Sequence, residues 1–157
     1  MKKLIILSAI PGSGKSTWAK KYQSEHNYVH IISSDEIRHE LTGSYTDFSR
    51  QAEVWTLFSK RIHEYANLSN DVTVILDALC DLNMLREKYV KENPEYDYFE
   101  LVLIKKPIEQ IQKLNKQRPE ENWVPDDALN MLINKFEEPS EEVLKLFDKV
   151  QIIDYYF

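Results

Sequence analysis

Glycine is scarce, with three residues in a chain of 157. Whatever the fold needs in the way of left-handed backbone or close approach is confined to few places. Two of the three, Gly12 and Gly14, fall together in the segment PGSGK, and Gly43 lies apart in the polar stretch Thr42 to Asp47, which reads as a turn. Cysteine is limited to Cys80, which excludes an intrachain disulfide framework and fits a reducing compartment. Cations are outnumbered, 20 Lys+Arg against 26 Asp+Glu. The formal net charge of −6 excludes non-specific phosphate-backbone attraction as the main source of affinity for a nucleic acid, though it leaves room for a local basic groove. No run approaches the roughly 20 apolar residues of a membrane span. The apolar stretch after Lys3 leads into PGSGKS without a small-residue cleavage site, so it reads as a strand and not a signal peptide. A cytoplasmic protein without a membrane partner is expected.

What is present alternates. Five runs have strand character: residues 3–8, 28–33, 72–77, 99–105 and 150–154. Several are near-continuous in Val, Ile and Leu, as in strands covered on both faces. Helical periodicity fills the intervals at 16–26, 48–68, 82–92, 108–117, about 125–138 and 141–147. Trp55, Phe58 and Tyr65 recur at helical spacing in the longest of these and read as core packing before a base-stacking face. Pro125 suits a first helical turn, with Asp126 and Asp127 favouring the helix N-terminus. This pattern predicts an α/β chain, a single domain over 1–157 with a mostly parallel five-stranded sheet and helices on both faces.

The densest chemistry lies in AIPGSGKST, Ala9 to Thr17, between the first strand and the first helix. It matches the phosphate-loop pattern G-x-x-x-x-G-K-[ST] except that Ala9 replaces the first glycine. A buried strand end with negative φ accepts that methyl group. In this context the backbone N–H groups of Gly12 to Thr17 wrap a β-phosphate, aided by the helix dipole. Lys15 reaches the β- and γ-phosphates, and the Ser16 hydroxyl serves Mg²⁺. Pro11, Gly12, Ser13, Gly14, Lys15, Ser16 and Thr17 are therefore the expected ATP-binding residues. The alternative is a glycine-rich turn before a helix.

Beyond the second strand, SSDEIR places Asp35 and Arg38 where open α/β sheets bind ligands. Asp35 there either accepts a proton from an attacking hydroxyl, helps hold Mg²⁺, or acts as a helix cap or first-turn acid; Arg38 has the planar fork to clamp an acceptor phosphate. Asp77 ends the third strand, as a Walker-B acid near Mg²⁺ or as a strand-end cap. Cys80 reads as a small buried side chain with no histidine at close spacing. The stretch from Lys113 to about residue 124 turns from helical to polar, and reads as a small lid whose cations, Lys116 and Arg118, face the transferring phosphoryl group, or as an ordinary surface loop.

Taken together, LSAIPGSGKSTWAKKY, the D-x-x-R of Asp35 and Arg38, Asp77-Ala78, and the later VP and FEEP elements resemble the P-loop kinase family that includes the 5′-hydroxyl polynucleotide kinase domain of bacteriophage T4. The resemblance spans nearly the whole chain. It implies a P-loop NTPase fold and an ATP- and Mg²⁺-dependent kinase acting on a hydroxyl acceptor, a 5′-OH nucleic acid end or nucleotide. Asp35 would be its general base, Arg38 its acceptor-phosphate arginine and Arg118 its lid arginine; Arg86 matches a further family arginine. The family's R-N-x-x-R reads Leu114-Asn115-Lys116-Gln117-Arg118 here, so either Lys113 or Lys116 substitutes for the arginine missing at Leu114, or turnover is weaker. Leu79 and Cys80 replace a polar pair. A small-molecule kinase and a nucleotide-binding module with degenerate catalysis are the alternatives.

Overall fold

A computed structural model describes residues 1–154; the last three residues of the expected domain lie outside the described ones. The apolar runs form β1 (Lys2–Ser8), β2 (Val29–Ser33), β3 (Val72–Asp77), β4 (Tyr98–Lys105) and β5 (Lys149–Asp154). They pair in the order β2-β3-β1-β4-β5, and every described pair is parallel, so the sheet is wholly rather than mostly parallel. Parallel neighbours require crossovers. These are α1 (Lys15–Glu25), α2 (Ser34–Thr42), α3 (Gln51–Ala66), α4 (Asn83–Lys91), α5 (Ile108–Gln117), α6 (Asp126–Lys135) and α7 (Glu141–Leu144), with a 3-10 turn at Glu120–Asn122.

The two faces of the sheet bury separate cores. One packs Leu4, Ile6, Val74, Leu76 and Leu101 against Val54, Phe58 and Ile62 of α3 and Tyr89 of α4. Trp55 and Tyr65 flank this core, so the aromatic residues of α3 serve packing. The other face sets Ile5, Leu7, Ile75 and Val102 against Ala19 of α1, with Trp18 and Tyr22 at the margin. Strand β5 is less covered than β1, β3 and β4. It is an edge strand, and Val150 and Ile152 are exposed.

Helix ends follow local hydrogen bonds more than periodicity. Helix α3 starts at Gln51, not Phe48, because the Asp47 carboxylate accepts from Ser49 N at 3.0 Å and holds an Asx turn ahead of it. Helix α6 stops at Lys135, short of Glu138. Phe136 there is extended, and Glu137 N donates to Asp81 O at 2.7 Å, drawing the chain toward the loop after β3. Tyr28 holds φ at 58°, so β2 begins one residue later than its apolar run. No helix among the described residues is long and apolar enough to cross a membrane.

Candidate active site

Strand β1 sits at the centre of the sheet, where the order reverses between β3 and β4, and ligands of open α/β sheets bind beyond such strand ends. The loop that follows turns through Gly12 at φ 83° and Gly14 at φ 95°, both left-handed. Ser13 N donates to Ile10 O at 3.1 Å and the Ser13 hydroxyl bonds the same oxygen. Gly14 is the N-cap of α1, and no side-chain cap occupies that helix end, so its first N–H groups are available to an anion. Ala9 is fully buried in the α1-side core, outside the positive-φ positions, which is why alanine is accepted there.

A Cβ on Gly12 would stand 3.1 Å from Ile111 O and 3.2 Å from Asn115 N, both backbone atoms of α5. Neither atom can yield without moving the helix. Gly12→Ala is therefore expected to cost about 1–3 kcal/mol, read as a fall in the thermal unfolding midpoint together with weaker nucleotide binding.

Asp77, nearly buried at the end of β3, joins the loop to the sheet: Ser16 Oγ donates to its Oδ2 at 2.7 Å, and Lys15 Nζ lies 3.9 Å from its Oδ1. Strand register sets Ser33 of β2 beside Asp77. Ser33 caps α2 by accepting from Glu36 N at 3.3 Å, and Asp35 follows in the first turn. Asp35 is thus a first-turn acid, with the cap supplied by Ser33. Arg38 Nη1 donates to Asp35 Oδ1 at 2.7 Å and to Tyr45 O at 3.1 Å, while its Nε donates to Gln51 Oε1 at 2.9 Å. Phe48 covers the guanidinium at 4.4 Å. The turn around Gly43 therefore contributes to the site by supplying the Tyr45 carbonyl.

From the opposite side, Arg118 Nη2 comes within 3.6 Å of Asp35 Oδ2. It is placed by the end of α5 and the segment that follows. Asn115, fully buried, donates from Nδ2 to Val124 O at 2.8 Å and accepts at Oδ1 from Val124 N at 3.0 Å, and Trp123 Nε1 donates to Arg118 O at 2.7 Å. Asn115→Ala is expected to loosen this closure by about 1–3 kcal/mol, seen as faster limited proteolysis between residues 118 and 124.

A cavity of about 970 Å³ opens from the loop toward the β4 and β5 flank, lined by Gly12 to Thr17 and by Lys106, Leu114 and Arg118 among others. Pro11 does not line it. Lys113 and Lys116 do not line it either, and Lys116 lies 4.6 Å over Trp123 and 3.5 Å from Asp126 Oδ1. The expectation that one of them replaces the arginine missing at Leu114 is corrected: neither lines the cavity, whereas Lys106, which follows β4, lines it alongside Lys3, Lys15 and Arg118. Its place at a strand's C-terminal end was the available signal. Arg86, matched above to a family arginine, holds two elements together. It is fully buried and donates to Ser8 Oγ at 3.1 and 2.9 Å and to Asn83 Oδ1 at 2.9 Å, fastening α4 to β1. Burial also pushes the Cys80 thiol up to about 12, which keeps it neutral and unreactive, as its sequence context suggested.

Residues 4–139 match the family model of an AAA domain. The chain belongs to the AAA domain family. Among curated proteins, this AAA domain is 28% identical over 165 aligned positions to a protein of Acanthamoeba polyphaga mimivirus named as a bifunctional polynucleotide phosphatase/kinase, covering 99% of the chain and 34% of that relative. The chain thus spans about a third of the length of the curated relative it matches. Among solved structures, Chaetomium thermophilum Kti12 in complex with ADP-AlF3 superposes with a TM-score of 0.75 at 17% identity, covering 97% of this chain and 89% of that one. The Pnkp1/Rnl/Hen1 RNA repair complex gives a TM-score of 0.71 at 22% identity, over 94% of this chain and 46% of that one. A gluconokinase from Sinorhizobium meliloti 1021 gives 0.62 at 18%, over 97% and 82%. These solved structures share the fold of the chain.

Proposed function

We propose that the chain transfers the γ-phosphoryl group of ATP to a hydroxyl acceptor, the 5′-OH of a polynucleotide or nucleotide. The observation that carries this reading is the Asp35 carboxylate, which is 42% exposed and lies between Arg38 at 2.7 Å and Arg118 at 3.6 Å. It stands one strand away from the Asp77, Ser16 and Lys15 cluster. A switch ATPase needs a residue that positions water; a kinase needs a base beside the phosphate and a cover against water.

In this reading Asp35 takes the proton of the acceptor hydroxyl as its oxygen attacks the γ-phosphorus, and the bond to the ADP oxygen breaks in line. Lys15 and Arg118 face the charge that develops. Arg38 keeps Asp35 oriented and meets a phosphate of the acceptor. Ser16 and Asp77 set a hydroxyl and a carboxylate oxygen 2.7 Å apart, a hard-oxygen pair that suits Mg²⁺ when phosphate oxygens and water complete the shell. Bound there with ATP, the ion would screen phosphate charge. Asp35, held by two arginines, is better suited to act as base than as a ligand of that ion. The polynucleotide acceptor draws support from the named activity of the mimivirus relative.

One observation favours a second reading. Leu114 stands in the cavity wall where a cation would aid turnover, as in a nucleotide-binding module with weakened catalysis. Both are tested by offering γ-labelled ATP with DNA, RNA, 3′-mononucleotides, nucleosides and sugars. Label on 5′-OH ends supports the first reading, label on a small metabolite moves the acceptor class, and nucleotide binding with no labelled product favours the module.

A further inference from the structure

Lys106 belongs to no motif, yet its ammonium group lies 3.2 Å from the point where a Cβ on Gly14 would stand. Gly14 caps α1, so this cation is held against the positive end of a helix dipole. Burial lowers its pKa. An anion bound at that helix end favours the charged form of Lys106. The neighbouring Lys105 is turned elsewhere, pairing with Glu138 Oε2 at 3.0 Å.

The flanks of β1 separate two functions. Lys15 leans toward Asp77 on the β3 side, where Asp35 also lies. Lys106 enters from the β4 side, where the cavity continues past Ile104, Leu114 and Ile153. A nucleotide with its terminal phosphate toward Asp35 and its nucleoside in that cavity passes its inner phosphates beneath Lys106. We propose that Lys106 is a second phosphate-binding cation, which grips the α- and β-phosphates of the donor while Lys15 serves the β- and γ-phosphates. The proposal rests on the nucleotide-binding part of the kinase reading. It adds a cation from the segment after β4 to the cavity wall that Leu114 leaves apolar.

The test is the affinity of ADP with Mg²⁺ for the full chain, measured by titration calorimetry, for wild type, Lys106→Met and Lys106→Arg. Loss of a charge-assisted phosphate contact is expected to weaken ADP by about tenfold or more in Lys106→Met. Lys106→Arg should recover most of the loss, and both variants should stay folded without nucleotide at the assay temperature. Wild-type ADP affinity in Lys106→Met would overturn the proposal. So would a loss of nucleotide-free stability that accounts for the weaker binding. A wild type that binds ADP but transfers no phosphoryl group would remove the kinase reading and leave the Lys106 comparison intact.

Discussion

Lys15→Ala is expected to abolish measurable phosphoryl transfer, by a factor of at least about a hundred. The ammonium group comes from the first turn of α1, directly after Gly14, and is aligned by Asp77 Oδ1 at 3.9 Å. In the kinase reading it is the one side chain of the loop that follows charge from the γ-phosphate to the β–γ bridging oxygen as the bond breaks, so its removal costs more in the transition state than in the bound substrate. The fold should survive. The contact with Asp77 is long, and Ser16 still bonds that carboxylate at 2.7 Å. A radiolabel-transfer assay beside a thermal melt checks both halves; normal turnover in the variant would remove the proposed mechanism.

Asp35→Asn is the complementary case. The amide keeps an oxygen for the Arg38 hydrogen bond but can no longer take a proton, so turnover is expected to fall by roughly 10²–10⁴. ADP affinity should hold within about twofold, because Asp35 lies outside the nucleotide cavity. Single-turnover rates and ADP titrations separate the two effects. An unchanged rate would take the base role from Asp35, and a joint loss of rate and ADP affinity would make it a donor-site residue.

How far the molecule could be read in advance depended on how local its causes are. The alternation of apolar runs with helical periods was enough for the α/β class, because parallel strands cannot be joined without crossovers. The phosphate loop was legible for the same reason: Gly12 and Gly14 take positive φ, and few other residues tolerate it. Element boundaries were less legible. The Asx turn at Asp47 and the bond from Glu137 N to Asp81 O ended or delayed helices whose side-chain periodicity ran on. The exposure of Val150 and Ile152 on β5 was not legible, since apolar side chains alone do not tell whether a helix covers their face of the sheet.

The cations around the site divide along the same line. Lys15 is positioned by its neighbours in sequence. Lys106, Lys116, Arg86 and Arg118 all carry charge near motif residues, and nothing local distinguishes them. Helix α5 and the Asn115 closure turn Lys116 toward Trp123 while directing Arg118 to Asp35. Packing of α4 seals Arg86 against Ser8, and the order β3-β1-β4 brings Lys106 to Gly14. The sequence by itself therefore determined the fold class, the phosphate loop and the candidate acid at Asp35, because short-range backbone preferences and strand–helix alternation specify them. Only the tertiary structure decided which cations reach the cavity, because a side chain's partner across the sheet depends on strand order and helix packing, which place together residues far apart along the chain.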